Sequence, residues 1–273
     1  MRRIGVLYHP KVEEARRLAE ELRRVISKDD VVPWMESSWD VEAMSRNIAD
    51  SEMVITLGGD GTIVRTARLA APCGVPILGI NFGRLGFLAE LQPDEALTLV
   101  PRVLTNDRWI ERRTLIHVQL IRDGEEIEVY EAVNDVFAGR GETPRAVRVT
   151  TSIDGAEMRT YTADGVVVAT PTGSTAYALA AGGPILAPEL PAMLITPIVP
   201  HPTHYPSVVV GADSQIDVSV RTYHGAVMTV DGQITRPLER DDRIACSRSE
   251  YVASFIRLHP PSNFYARLLD KLR

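Results

Sequence analysis

The sequence predicts an α/β domain on a parallel, Rossmann-like sheet, followed by a mostly-β domain. Three observations carry that prediction. Over about the first hundred residues, short apolar runs alternate with longer amphipathic ones, the pattern of strands joined by crossover helices. Beyond Asn106 the runs become strand-like and are split by Asp-Gly pairs at Asp123-Gly124, Asp154-Gly155 and Asp231-Gly232. The chain has 273 residues, 45% hydrophobic and 24% charged, enough for one large domain or two modest ones.

Each element follows from its residues. Ile4–Tyr8 is a short apolar run and reads as a strand. Val12–Ile26 places Val12, Ala15, Leu18, Ala19, Leu22 and Ile26 at helical spacing with charges opposite. Val31 and Val32 begin a second strand, and Met53–Leu57 is a third. Ile63–Ala71 is helical, Val75–Ile80 is a fourth strand, and Asp94–Leu104 is another helix. Trp34 and Trp39 flank a surface loop. In the second region, Ile116–Arg122 pairs with Glu125–Tyr130, Val147–Ile153 with Ala156–Tyr161, and Gly225–Val230 with the strand at Ile234. An alanine-rich helix is expected over Ser174–Ala181, and a short amphipathic helix over Asn263–Leu272.

Composition excludes several classes. Thirty basic against 36 acidic residues give a net charge of -6, a poor balance for gripping nucleic acid. A small anionic ligand stays possible, because a local pocket can oppose the global sign. Two cysteines, Cys73 and Cys246, supply neither a disulfide framework nor a four-thiolate zinc site. Both are expected reduced and partly buried, which fits a cytoplasmic setting. The uncharged stretches 165–188 and 190–212 are broken by proline and glycine and do not read as membrane spans. His201 and His204 lack a carboxylate or thiolate neighbour and do not read as a zinc site.

The most informative segment is Met53-Val-Ile-Thr-Leu-Gly-Gly-Asp-Gly-Thr62, a strand, a glycine turn and a helix start. Such a turn presents backbone N–H groups and a helix N-terminus to an anion. A carboxylate among phosphate-binding glycines is odd. Asp60 could hold a metal, or accept a proton from a hydroxyl nucleophile. The bland alternative is that Asp60 or Thr62 caps the helix. The turn is neither a Walker loop nor Gly-x-Gly-x-x-Gly.

Gly58-Gly-Asp-Gly-Thr62 resembles the signature of a kinase superfamily that holds NAD kinases, diacylglycerol and sphingosine kinases, and 6-phosphofructokinases. Three further stretches resemble NAD kinases in particular. They are Asn81-Phe-Gly-Arg-Leu-Gly-Phe-Leu88, the pair Asn134-Asp135, and Ala163-Asp-Gly-Val-Val-Val-Ala-Thr-Pro-Thr-Gly-Ser-Thr-Ala-Tyr177 running on to Gly182-Gly-Pro184. The resemblance runs in order along the chain. It implies a final segment that returns to the first domain, so that residues 1–100 and 256–273 form the α/β nucleotide-binding domain and 101–255 the β-rich NAD-binding domain.

The resemblance implies transfer of a phosphoryl group to the 2′-hydroxyl of the adenosine ribose of NAD, from ATP or polyphosphate with Mg²⁺ or another divalent cation. Asp60 would be the general base. Gly58, Gly59, Gly61 and Thr62 would meet donor phosphates. Asp60 and Gly61 would also touch NAD, as would Arg65, one turn beyond Gly61; a solvated helix charge is the equal alternative for Arg65. Phe82 would stack on adenine, or else pack in the core. Asn134 and Asp135 would bind the adenosine part, which requires a bulge or strand end there. The family usually has Glu at the place of Asp135. Asp164 would reach the nicotinamide half, with Thr162 on the same face. Thr175, Ala176, Tyr177, Ala178, Leu179 and Ala180 would form a second helix N-terminus against NAD. Arg145 and Gln233 complete the implied NAD contacts; a surface arginine and a hairpin are their alternatives. The family is typically a homodimer or homotetramer.

The rival readings are a lipid or sugar kinase of the same superfamily, and a dinucleotide sensor without catalysis. A redox enzyme is a third, but Tyr8-His-Pro10 after the first strand lacks a dinucleotide fingerprint.

Overall fold

A computed structural model describes residues 1–27, 30–83, 86–105, 107–143, 145–201, 205–221 and 224–271. The chain forms two compact units, Met1–Arg112 with Val252–Arg273, and Arg113–Tyr251.

The first unit runs β1 (Arg2–Tyr8), α1 (Glu13–Ile26), β2 (Val31–Ser37), α2 (Val41–Ile48), β3 (Met53–Gly58), α3 (Asp60–Ala70), β4 (Ile77–Asn81) and α4 (Pro93–Leu104). Its strands pair in parallel in the order β2-β1-β3-β4. All six residues of β3 are buried, as both faces of a helix-covered parallel sheet require. Helix α1 turns Ala15, Ala19, Leu22 and Ile26 to the core and carries Glu13 and Glu14 in its first turn, Arg23 and Arg24 in its last. Strand order reverses between β1 and β3, so the carboxyl ends of these two strands form the switch point where α/β sheets bind ligands. Gly58 is the last residue of β3.

Strand β5 (Trp109–Arg122) leads out of the first unit. The second unit continues with β6 (Glu125–Ala132), β7 (Asp135–Arg140), β8 (Val147–Ile153), β9 (Ala156–Ala163), β10 (Gly165–Ala169), α5 (Tyr177–Ala180), β11 (Ala192–Ile198), β12 (Val208–Gly211), β13 (Ile216–Arg221), β14 (Ala226–Val230) and β15 (Ile234–Leu238). Strand β16 (Arg243–Arg257) leads back, and α6 (Asn263–Lys271) ends the described chain. One sheet of the second unit is antiparallel in the order β12-β11-β10-β7-β14-β15. The antiparallel set β9-β8-β13 continues onto the start of β16. Its core packs Val166 and Val168 of β10 and Met228 of β14 with Val147 and Val149 of β8 and Val218 of β13. The three Asp-Gly pairs are tight turns between strands, each Asp and Gly at positive φ, as the sequence predicts.

Four details differ from the sequence reading. Trp34 lies in β2 rather than at a loop edge, and its indole N–H donates to Ser51 Oγ at 2.8 Å. Helix α2 was not anticipated; it is eight residues long and half polar. Its signal was Asp40 just before Val41, with Met44 and Ile48 following at helical spacing. The alanine-rich segment forms a 3-10 turn at Gly173–Thr175 and then the single turn α5, not a continuous helix. Cys246 is fully buried, which pushes its thiol up to about 12, whereas Cys73 is exposed; both are free.

Asp40 caps α2 by accepting the Ala43 N–H at 2.9 Å. Asp40→Ala leaves that N–H without its partner and is expected to cost about 1 kcal/mol. The change appears as a lower urea midpoint at unchanged m-value.

Candidate active site

In the first unit the site begins where β3 stops. Gly59 adopts extended backbone and serves as the N-cap of α3 without any side-chain bond. Its carbonyl accepts from Thr62 N at 2.9 Å and Ile63 N at 3.2 Å. Asp60, the first helical residue, does not cap its own helix. Its carboxylate accepts from Phe87 N at 2.9 Å and Leu88 N at 3.3 Å. Gly86 makes this possible: a Cβ there would stand 1.8 Å from Asp60 Oδ1. Thr62 is buried and Gly61 is exposed on the first turn.

Arg65 does not present a freely solvated charge. It is half-buried, and Nη1 donates to the Ser38 carbonyl at the end of β2 at 3.3 Å. Burial, with the neighbouring Arg68, lowers its pKa. Phe82 packs against the first unit's core while half-exposed, and the buried Asn81 donates to Gly83 O at 3.0 Å.

In the second unit, Asn134 and Asp135 sit at a strand end, as two adjacent ligand contacts require: β6 stops at Ala132 and β7 starts at Asp135. The Asp231 carboxylate meets the amides there, accepting from Asn134 N at 2.7 Å, Val133 N at 3.2 Å and Asp135 N at 3.3 Å. Asp231 reaches them from the β14–β15 turn, where it and Gly232 take positive φ. Thr170 closes the other side: its N–H donates to Asn134 O at 2.9 Å and its hydroxyl to Val133 O at 2.7 Å. Gly173 must be small, because a Cβ would lie 1.9 Å from Asn134 O.

These contacts frame a cleft of about 290 Å³, near the lower end of ligand-binding pockets (about 300–1,000 Å³). Four predicted NAD contacts line it: Asn134, Asp135, Ala176 and Tyr177. Phe137, Thr229, Asp231 and Gly232 line it too and were missed as contacts. The signal for Asp231 in the sequence is the Asp231-Gly-Gln233 stretch, which resembles a late motif of NAD kinases as well as a hairpin turn. Phe137 and Tyr177 pack edge to face, centroids 5.9 Å apart, and offer aromatic surface to a flat ring.

Asp135 is 5% exposed. Burial first, then the Asp231 charge, push its carboxyl up to about 7, against the Tyr177 N–H that it accepts. That N–H opens α5, so the turn spends its first amide on the protein's own carboxylate. The hydroxyls upstream are also used internally. Ser174 donates to Pro171 O at 2.6 Å and accepts from Leu186 N at 2.9 Å, and Thr175 donates to Thr172 O at 3.1 Å. The expected second helix N-terminus is therefore one turn whose first amide is already taken. Ala178 is buried in an apolar cluster with Val167, Leu186 and Leu194; Leu179 is half-buried and Ala180 exposed.

The remaining predicted contacts stand apart from the cleft lining. Asp164, between β9 and β10, pairs with Arg140 Nε at 3.0 Å. Thr162 is exposed two residues earlier and its carbonyl accepts from His201 N at 2.7 Å. Exposed Arg145 meets His224 Nε2 at 3.2 Å. Gln233 is half-buried beside Gly232, its N–H donating to Val230 O at 3.0 Å. His204 lies outside the described residues. Among the described residues no group of three or more His, Cys, Asp or Glu could hold a metal ion. No helix among them is long and apolar enough to cross a membrane.

A carboxylate on a glycine turn at a sheet switch point is an arrangement suited to an enzyme that acts beside an anionic ligand. Comparison with known proteins refines that class. The model of the ATP-NAD kinase N-terminal domain matches residues 4–108, and that of the ATP-NAD kinase C-terminal domain matches residues 133–258. An NAD kinase of Chloroflexus aurantiacus is 38% identical over 273 residues, spanning 100% of this chain and 99% of the relative. One of Dehalococcoides mccartyi is 36% identical, spanning 100% and 96%. The structure of an Archaeoglobus fulgidus NAD kinase in complex with ATP matches with a TM-score of 0.79 at 26% identity, covering 98% of each chain. Yeast NADH kinase complexed with NADH shares the fold, with a TM-score of 0.88 at 24% identity over 100% of this chain and 87% of that one. The chain belongs to the NAD kinase family.

Two predictions follow from the geometry. In Gly86→Ala the new Cβ meets the Asp60 side chain and not backbone, so the carboxylate is forced aside. Thermal stability should shift by no more than about 1 kcal/mol, while phosphoryl transfer falls at least about a hundredfold. Asp135 binds its proton more tightly folded, near 7, than unfolded, near 3.8. Its stabilisation is therefore complete below pH 3.8 and lost as pH rises to 7. Asp135→Asn removes that loss and keeps an acceptor for Tyr177 N–H. Its melting temperature relative to the parent should rise between pH 4 and 8, by the equivalent of about 2–4 kcal/mol. A difference independent of pH would contradict this.

Proposed function

We propose that the chain phosphorylates the 2′-hydroxyl of the adenosine ribose of NAD to give NADP, with ATP or polyphosphate as donor and Asp60 as general base. The observation that carries the reading is the Asp60 carboxylate, fixed at the start of α3 by two amides of another loop. The capping alternative is disfavoured, because the carboxylate bonds outside its own helix.

In this reading Asp60 takes the hydroxyl proton as the ribose oxygen bonds to the terminal phosphorus. The bond from that phosphorus to the donor's bridging oxygen breaks, and the shortened donor leaves. Gly58, Gly59, Gly61 and Thr62 meet the donor with backbone at the helix N-terminus, where no side chain but that of Asp60 repels phosphate. Asn134, Asp135, Ala176 and Tyr177 hold the adenosine, whose base lies against the Phe137–Tyr177 pair. Asp164 and Thr162 serve the nicotinamide half. Mg²⁺ bound with the donor would neutralise phosphate charge there. The working form is a homodimer or homotetramer, with Arg145 serving a neighbouring subunit's ligand.

Purified protein incubated with NAD, Mg²⁺ and either ATP or polyphosphate should form NADP. No NADP from either donor would defeat the proposal. Asp60→Asn should retain NAD binding and lose at least about a thousandfold in kcat. Near-parental turnover would remove Asp60 as base.

A further inference from the structure

The two amides that hold Asp60 belong to a short strap of main chain, Phe87 to Glu90, which is gripped in turn by the C-terminal segment. Arg257, at the end of β16 and 6% exposed, donates from Nη1 to Leu88 O at 2.8 Å. The same guanidinium reaches Glu90 at 3.3 Å and Glu111 at 2.7 Å. Arg267, on α6, donates to the carbonyls of Ala89 and Glu90, the second at 3.1 Å. Glu90, 3% exposed, accepts the amides of Leu258 and His259, each at 2.8 Å, and meets His259 Nδ1 at 2.7 Å. Phe264 of α6 packs on Phe87, ring centroids 6.1 Å apart.

Burying this many ions is a weak route to stability, since apolar side chains of similar volume often serve as well. What the network does supply is direction. The strap's carbonyls are tied to two guanidinium groups, and its first two amides are thereby aimed at one carboxylate. Burial lowers the pKa of Arg267, while the charges of Glu90 and Asp60 oppose that shift, so Arg267 lies within electrostatic reach of Asp60.

We propose that Arg267 and Arg257 are positioning residues for the reaction, holding the Phe87–Glu90 strap by its carbonyls so that the strap's amides orient the Asp60 carboxylate. They act through main chain and not by touching either substrate. The proposal rests on the reading of Asp60 as general base.

The test compares the parent with Arg267→Gln, Arg267→Lys and Arg257→Lys in the full chain. It measures kcat, KM for NAD, thermal stability, and hydrogen exchange at the Phe87 and Leu88 amides. Arg267 is the safer site, because it lies on the terminal helix. The expected result is a fall of about tenfold or more in kcat for Arg267→Gln, with KM for NAD within about twofold of the parent. Arg267→Lys, which keeps charge and donors, should fall between the two. Exchange at both amides should quicken by about tenfold in Arg267→Gln. Parental kcat in all three variants overturns the proposal. So does a kcat loss that tracks thermal stability while exchange at the two amides stays parental. If the parent itself makes no NADP, the reading of Asp60 has failed; exchange at Phe87 and Leu88 then reports whether the arginines hold the strap at all.

Discussion

A backbone N–H that leaves a helix or sheet inside a folded chain must find an acceptor, and here three carboxylates meet that demand. Asp60 takes the amides of Phe87 and Leu88. Asp231 takes those of Val133, Asn134 and Asp135. Glu90 takes those of Leu258 and His259. Each carboxylate fixes an irregular segment that no strand ladder could fix. Bonds from N–H to a charged acceptor are also stronger than neutral ones, so they hold the segments they tie more firmly than a neutral acceptor would. In the first unit Asp60 supplies such a carboxylate, and in the second Asn134 and Asp135 stand on such a segment.

Much of the fold was legible because its signals are local. Strand β3 and helix α1 announce themselves by period, and the Asp-Gly turns by the positive φ that only a few residues accept. Asp60 and the Asn134–Asp135 strand end were legible as carboxylate and amide groups in apolar or glycine-rich surroundings. The partners of these groups were not legible. Asp231 lies about a hundred residues from the amides it binds, and Arg257 more than a hundred and fifty from Leu88. No window along the chain contains both ends of such a bond. Helix α2 escaped for a different reason: with eight residues it offers too few turns for its apolar face to stand out.

The acidic balance of the chain and the anionic ligands of its family are compatible for the same reason. With a net charge of -6, the chain does not attract phosphates as a whole. A glycine turn at a helix start draws an anion with aligned amides rather than with lysine or arginine side chains. Among the described residues of the first unit, Arg65 is committed to a carbonyl, and Arg257 and Arg267 to the strap and its carboxylates. These three act as structural cations.

The cleft of the second unit shows what that choice does to a carboxylate that receives fewer amides. Asp231 accepts three N–H groups. Asp135, beside it and nearly as short of water as a core residue, has one helix amide for its carboxylate and a neighbouring negative charge. Two carboxylates so close cannot both be ionised cheaply, and the one with fewer donors keeps its proton longer. With its carboxyl near 7, Asp135 is divided between acid and anion at neutral pH. A carboxyl in that state can serve as hydrogen-bond donor or as acceptor. Burial sets that balance first, the Asp231 charge adds to it, and the Tyr177 amide opposes both.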